Sequence, residues 1–170
     1  MSLRYFLIIS LLFSVITSAQ VTIFSENVGS PGSTTLVSSY TGWENNSTLT
    51  FAGTADVRTS TSSNGYTGSS GSGNVFITGT VGTNLVISEI NTSSYTSLAL
   101  SLGHFKSATT ASNELVIEVS SDGTNYTALT YSRPTGTGTA VWMLISPTGT
   151  IPSTSNLRIR FRNSTTSSQF

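Results

Sequence analysis

Leu157-Arg158-Ile159-Arg160-Phe161-Arg162 alternates apolar and cationic side chains without a break. Successive side chains of a β-strand point to opposite faces, so this stretch buries Leu157, Ile159 and Phe161 and turns three arginines the other way. Glu114-Leu115-Val116-Ile117-Glu118-Val119 repeats the pattern with opposite charge, Leu115, Ile117 and Val119 on one face and Glu114 and Glu118 on the other. Side by side, two such strands pair carboxylates with guanidiniums, at about 0.2–1 kcal/mol per cross-strand pair. Ser121-Asp122-Gly123-Thr124-Asn125 follows the acidic strand, and Asp-Gly between two strands marks a hairpin.

Working outward, period-2 clusters bounded by Gly, Ser, Asn and Pro recur along the chain. They fall at Val21–Phe24, Thr48–Phe51, Asn74–Thr78, Leu85–Ile90, Leu98–Phe105, Glu114–Val119, Tyr126–Tyr131, Val141–Ile145 and Leu157–Phe161. Leu98, Leu100 and Leu102 read as a further core stripe, and no helical period is visible after residue 20. Nine short strands in about 150 residues fit an all-β, antiparallel two-sheet β-sandwich or a barrel. Thr59 to Gly73, rich in Ser, Thr and Gly, has no apolar period and reads as a long internal loop.

Composition excludes whole classes of function. The chain has 170 residues and only 8% charged side chains, against roughly 25% in average proteins. Its 32 Ser and 29 Thr supply a polar surface without charge. Seven Lys and Arg balance seven Asp and Glu, which leaves no electrostatic footprint for nucleic acid. Zero Cys excludes thiolate metal sites, Cys nucleophiles and disulfides, and one His excludes a two-His metal centre within one chain.

Residues 1–19 read as a signal peptide. Arg4 gives a positive start, and Tyr5–Ile16 is a largely apolar run of 12 residues, shorter than the about 20 residues needed to span a bilayer. Thr17-Ser18-Ala19 offers small residues for cleavage before Gln20. The expected product is exported, carries a net charge of −1, and has no further segment of membrane length.

Four motifs in order carry a family resemblance: Phe24-Ser25-Glu26-Asn27-Val28-Gly29; Gly65-Tyr66-Thr67-Gly68 with Gly71-Ser72-Gly73-Asn74-Val75-Phe76; Ile90-Asn91-Thr92-Ser93-Ser94-Tyr95; and Ser120 through Tyr126. Residues 20–170 resemble a module of secreted Bacteroidetes proteins, a jelly-roll, galactose-binding-like or MAM-like β-sandwich. Such modules stand ahead of extracellular nuclease, lamin-tail or type IX secretion sorting modules. The resemblance implies a closing strand reading roughly Phe-Arg-Ile/Leu-Asp-Asp-Ile, and this sequence stops at Gln169-Phe170, where that strand would begin. A sandwich lacking its last strand, the N-terminal part of a larger protein, is the expectation. The resemblance also implies that Glu26 could join a structural calcium site, although the acidic partners from a closing strand are absent.

Candidate ligand-binding residues follow from side-chain chemistry. Trp43 and Tyr66 lie in loop-like sequence, where an exposed ring can stack on a sugar; the competing reading makes Trp43 a plug at one end of the core. Asp56 and Arg58, two apart in Ala55-Asp56-Val57-Arg58-Thr59, share a strand face beside the long loop and could bind a sugar or hold loop geometry. His104 and Lys106 end the Leu98 strand, where a lone His is ordinarily a hydrogen-bonded strand residue. No Gly-x-Ser-x-Gly elbow marks a nucleophile. The function expected is a secreted, non-catalytic, monomeric module that binds an extracellular glycan or cell-surface component. Its rivals are a structural or adhesion spacer and an accessory domain of a secreted nuclease or hydrolase. The signal-peptide reading has a direct check: after export from a bacterial host, intact mass should show a chain beginning at Gln20, and retention of Met1 on the exported protein would refute it.

Overall fold

A computed structural model of the chain describes residues 20–166 and 168–170. The signal-peptide segment, residues 1–19, lies outside the described residues. Ten strands and no helix are present among those described: β1 (Thr35–Leu36), β2 (Thr50–Gly53), β3 (Asp56–Arg58), β4 (Asn74–Phe76), β5 (Asn84–Ile90), β6 (Leu102–His104), β7 (Leu115–Ser120), β8 (Thr127–Leu129), β9 (Met143–Ile145) and β10 (Leu157–Asn163). They form three antiparallel sheets, ordered β1-β3-β4, β2-β5-β10-β7-β8 and β6-β9. Buried residues from all three, including Val57, Ile87, Ile117, Ile159 and Ile145, make one core in a β-sandwich-like arrangement.

The alternating stretch that opened the reading is the central strand. β10 lies between β5 and β7, with Ile159 opposite Ile87 and Val119, and Phe161 opposite Leu85 and Ile117. Every second residue from Leu157 to Asn163 is buried. On the outer face Glu118 accepts hydrogen bonds from Arg160 Nε at 2.7 Å and from Arg162 Nη2 at 2.9 Å. Arg160 also stacks its guanidinium 3.6 Å over the Tyr126 ring. Only one of the two acids joins this pairing: Glu114, just outside β7, instead takes Ser168 Oγ and the Ala111 amide. The Asp122-Gly123 hairpin is present between β7 and β8. Asp122 accepts from Thr124 N and Asn125 N, each at 2.8 Å, and Gly123 takes a φ of 78° that an L side chain would strain against.

One departure from strict alternation keeps the core continuous. Leu85 and Ile87 face inward, so period 2 would bury Glu89 next. Instead β5 spends three steps, Ile87 to Ile90, where β10 spends two, Leu157 to Ile159. Glu89 sits at φ 70° in this bulge, and Ile90 returns to the core at 2% exposed.

Two strand expectations need correction. Val21–Phe24 forms no strand, because no neighbouring strand offers it a ladder among the described residues. The Leu98–Phe105 strand shrinks to β6, and Leu98, Leu100 and Leu102 are half-buried rather than a core stripe. β1 and β3 add an edge to the sandwich, β3 coming from the Ala55–Thr59 alternation. Among the described residues no helix is long and apolar enough to cross a membrane.

Core placement predicts an unequal cost of truncation. Ile117→Ala, at a fully buried site, should lower unfolding free energy by about 2–5 kcal/mol, whereas Val81→Ala at an exposed turn should stay within about 0.5 kcal/mol. Urea titration of both variants checks this, and equal losses would contradict the assigned faces.

Candidate functional site

An open cleft of about 1060 Å³ lies between the sheets. One wall is the inner face of the five-stranded sheet, with Leu85, Ile87, Leu115, Ile159 and Phe161. The others come from the Gln20–Val28 segment, the Thr96–Phe105 segment and the long loop with Tyr66.

At the rim, aromatic rings gather. Phe105 and Trp142 are half-buried with centroids 5.7 Å apart, tilted at 55°. The hydroxyl end of Tyr66 lies against Gly103, where a Cβ would collide with it. The loop that carries Tyr66 is the Thr59–Gly73 segment expected between core strands, here joining β3 to β4. It is laced by Trp142 Nε1–H donating to Thr61 O at 2.9 Å, by Ser63 Oγ against Ser70 Oγ at 3.0 Å, and by Asn74 reaching Ser60 O. Gly65, Gly68 and Gly71 all take positive φ, which explains the glycine spacing of that segment.

Of the candidate residues, Glu26, Trp43, Tyr66 and His104 line this cleft, whereas Asp56, Arg58 and Lys106 do not. Tyr66 is at the rim. Trp43 is not on an exposed loop: it is 5% exposed, stacked at 4.2 Å on Phe51 with Tyr40 edge-on, so it plugs the core end. Asp56 and Arg58 pair with each other at 2.9 Å on β3, and Arg58 lies 3.7 Å over the Phe76 ring, so the pair holds the β3–β4 hairpin. Glu26 accepts from Val28 N at 2.9 Å, Glu44 N at 3.0 Å, and Asn45 N and Nδ2 at 3.1 Å each. Glu44 in turn accepts from Asn27, so two carboxylates stitch two loops reciprocally. A calcium ion at Glu26 would have to displace N–H donors, and calcium needs six to eight oxygens.

His104 and Lys106 are buried, at 3% and 0% exposed, and they belong to a cluster that sequence reading missed because Arg133 is distant in the chain. Arg133 Nη1 donates to His104 Nδ1 at 3.1 Å and to His104 O at 2.6 Å, while Nη2 reaches Val141 O at 2.9 Å. A guanidinium only donates, so Nδ1 must offer its lone pair and the ring proton resides on Nε2. Burial, then Arg133, then Lys106 hold the imidazole at about 3, far below its ordinary range. Burial, then Arg133, likewise lowers the Lys106 ammonium, whose Nζ donates to Ser107 O at 3.2 Å.

All seven carboxylates of the chain accept structural hydrogen bonds. Besides Glu26, Glu44, Asp56, Glu114, Glu118 and Asp122, Glu89 holds Thr50 Oγ1. No family model, curated protein or solved structure matches the chain.

The His104 geometry predicts an acid sensitivity. The folded state refuses the proton that the unfolded chain takes near its ordinary value of 6.5, so stability is complete above about pH 6.5 and falls as pH drops toward 3. The slope approaches at most about 1.4 kcal/mol per pH unit. Asp122, Glu114 and Glu118, all held below their ordinary values, add to the loss only through and below the carboxylate range. Urea midpoints at pH 7.5 and 5 should therefore differ in the parent chain and converge in His104→Gln; a parent midpoint that does not move would contradict the buried neutral ring.

Proposed function

We propose that the chain is an exported, non-catalytic binding module of jelly-roll type that holds carbohydrate at the aromatic rim of Tyr66, Phe105 and Trp142. The observation that carries the non-catalytic reading is the occupation of every ionisable group suited to proton transfer. Each carboxylate is tied to structural donors, and the one imidazole has its Nδ1 lone pair taken by Arg133. Glycoside hydrolysis needs two available acids about 5–10 Å apart across a substrate, and triad chemistry needs an imidazole that accepts a proton. A ring held neutral down to about pH 3 serves neither role.

The carbohydrate reading rests on what is left once those groups are spent. Sugars present apolar C–H faces and a ring of hydroxyls. The rim offers Phe105 and Trp142 faces beside the hydroxyls and backbone carbonyls of a Ser/Thr/Gly loop, and it carries no net charge of its own. Trp142 is fixed by its bond to Thr61 O, so the platform and the loop hydroxyls keep one geometry, which spares a ligand the cost of ordering them.

A glycan array probed with the chain tests the reading. Binding is expected to fall by about tenfold or more in Trp142→Ala and Tyr66→Ala, as for anchoring aromatics elsewhere. Far-UV circular dichroism should stay unchanged in both. A folded parent chain that binds nothing above background would remove the carbohydrate assignment.

A further inference from the structure

Two dipeptides of the chain hold the groups for one covalent rearrangement, and the fold treats them oppositely. An asparagine or aspartate before glycine can close a five-membered imide, because the glycine nitrogen reaches the side-chain carbonyl carbon with no Cβ in the way. Asn64-Gly65 and Asp122-Gly123 are the two such pairs, and every other Asn and Asp precedes a residue with a side chain.

At Asp122-Gly123 both reacting groups are engaged. The carboxylate accepts from Thr124 N and Asn125 N at 2.8 Å each and from Asn125 Nδ2 at 2.7 Å. Bonds from Asn125, Thr124 and Ser120 hold the carboxyl ionised, well below its ordinary range. Gly123 N–H donates to Ser120 Oγ at 2.9 Å. An ionised carboxylate is a poor electrophile and a bonded amide a poor nucleophile, so the hairpin resists closure.

Asn64-Gly65 has none of this protection. Both residues are exposed, and neither Gly65 N–H nor Asn64 Oδ1 has a partner among the described residues. Asn64 Nδ2 makes a single bond, to Ser62 O at 3.2 Å. Gly65 takes a φ of 76° with open space around it. The flanks are held: buried Ser63 accepts Gly71 N–H at 3.2 Å, and Tyr66 O accepts Ser69 N–H at 3.2 Å. A loosely bonded dipeptide thus lies between two anchored points of the loop.

The structure assigns Asn64 as a site of intramolecular deamidation through a succinimide. Gly65 N loses its proton to hydroxide and attacks Asn64 Cγ; the new N–C bond forms, the Cγ–Nδ2 bond breaks, and ammonia leaves. Water then opens the ring. Attack at Cγ gives aspartate, and attack at the backbone carbonyl gives isoaspartate, whose main chain runs on through Cβ. Either product puts a carboxylate into Thr59–Gly73, a segment that has none, beside the loop residues that line the cleft. Isoaspartate also adds a backbone carbon between the Ser63 and Tyr66 anchors. The assignment is independent of carbohydrate binding, since it concerns the chain's own backbone.

Peptide mapping by mass spectrometry of the folded chain, aged at mildly alkaline pH, tests it. Asp and isoAsp should accumulate at position 64 first, with Asp122 unaltered and the other asparagines still amidated. Gly65→Ala should lose most of the conversion, because a Cβ obstructs ring closure. Asn64→Gln, which leaves the glycine conformation untouched and would need a slower six-membered ring, should lose it as well. In urea the hairpin bonds are gone, and isoaspartate should then appear at Asp122 too. Three results would overturn the proposal: Asn64 still amidated in the folded chain after the urea-unfolded chain has converted it, Gly65→Ala converting as fast as the parent, or Asp122 isomerising as readily folded as in urea. Mass reports the conversion whether or not the chain binds sugar, so either reading can fail alone.

Discussion

The Glu118 carboxylate, held between Arg160 and Arg162, fixes the register on which the five-stranded sheet depends. A carboxylate only 6% exposed cannot stand unpaired without a cost of several kcal/mol, and the observed register of β7 against β10 sets Glu118 opposite Arg160 with Arg162 diagonal to it. A one-residue slip would carry both arginines to the core and Ile159 and Phe161 to water. Burial outweighs these pairings in driving the pleat closed, because each apolar side chain taken from water contributes about 1.5–3 kcal/mol and a part-exposed ion pair contributes less. The ion pairs select which closed arrangement forms.

Charge scarcity shapes everything outside that ladder. With so few carboxylates, the fold uses them as multi-point acceptors for backbone N–H groups in irregular segments. Glu26 and Glu44 tie the Ser25–Gly29 segment to the Trp43–Asn45 turn, and Asp122 closes the β7–β8 hairpin. Backbone groups in a loop need partners as surely as those in a strand, and a carboxylate offers about four acceptor sites where a hydroxyl offers two. Hydroxyls then finish the task in the long loop. The resulting surface is polar without being charged, and its aromatic rim owes its shape to these bonds.

Sequence alternation revealed most of this sheet and little of the site. β7 and β10 were legible because strict period 2 over six residues admits few other foldings, and the Asp-Gly turn located the β7–β8 hairpin. The bulge at Glu89 was not: Leu85-Val86-Ile87-Ser88-Glu89-Ile90 breaks period by one, and only the partner strand decides where the extra residue goes. Val21–Phe24 shows the reverse failure, since a good β pattern stays irregular when no neighbour offers hydrogen bonds. At the site, Asp56 and Arg58 were readable as a pair from their i, i+2 spacing. The His104–Arg133 contact spans 29 residues and leaves no local mark. Trp142 was hidden inside Val141–Ile145, a segment read only as a strand.

The His104 cluster also explains why the open side of the sandwich lies where it does. β6 has three residues and pairs only with β9, so its ladder alone holds it weakly. Arg133 compensates by crossing from the segment after β8 to bind the His104 carbonyl and the Val141 carbonyl before β9, joining both strands to the β8 side of the large sheet. That crossbrace works only with the imidazole neutral, because a protonated ring would face Arg133 and Lys106 with no carboxylate in contact to offset three cations. The Arg133 bond thus places the ring proton on Nε2, away from the brace, while Phe170 stacks on the ring face at 5.7 Å. Stability of this end is thus tied to one imidazole tautomer, whose buried Nε2–H has no hydrogen-bond partner among the described residues.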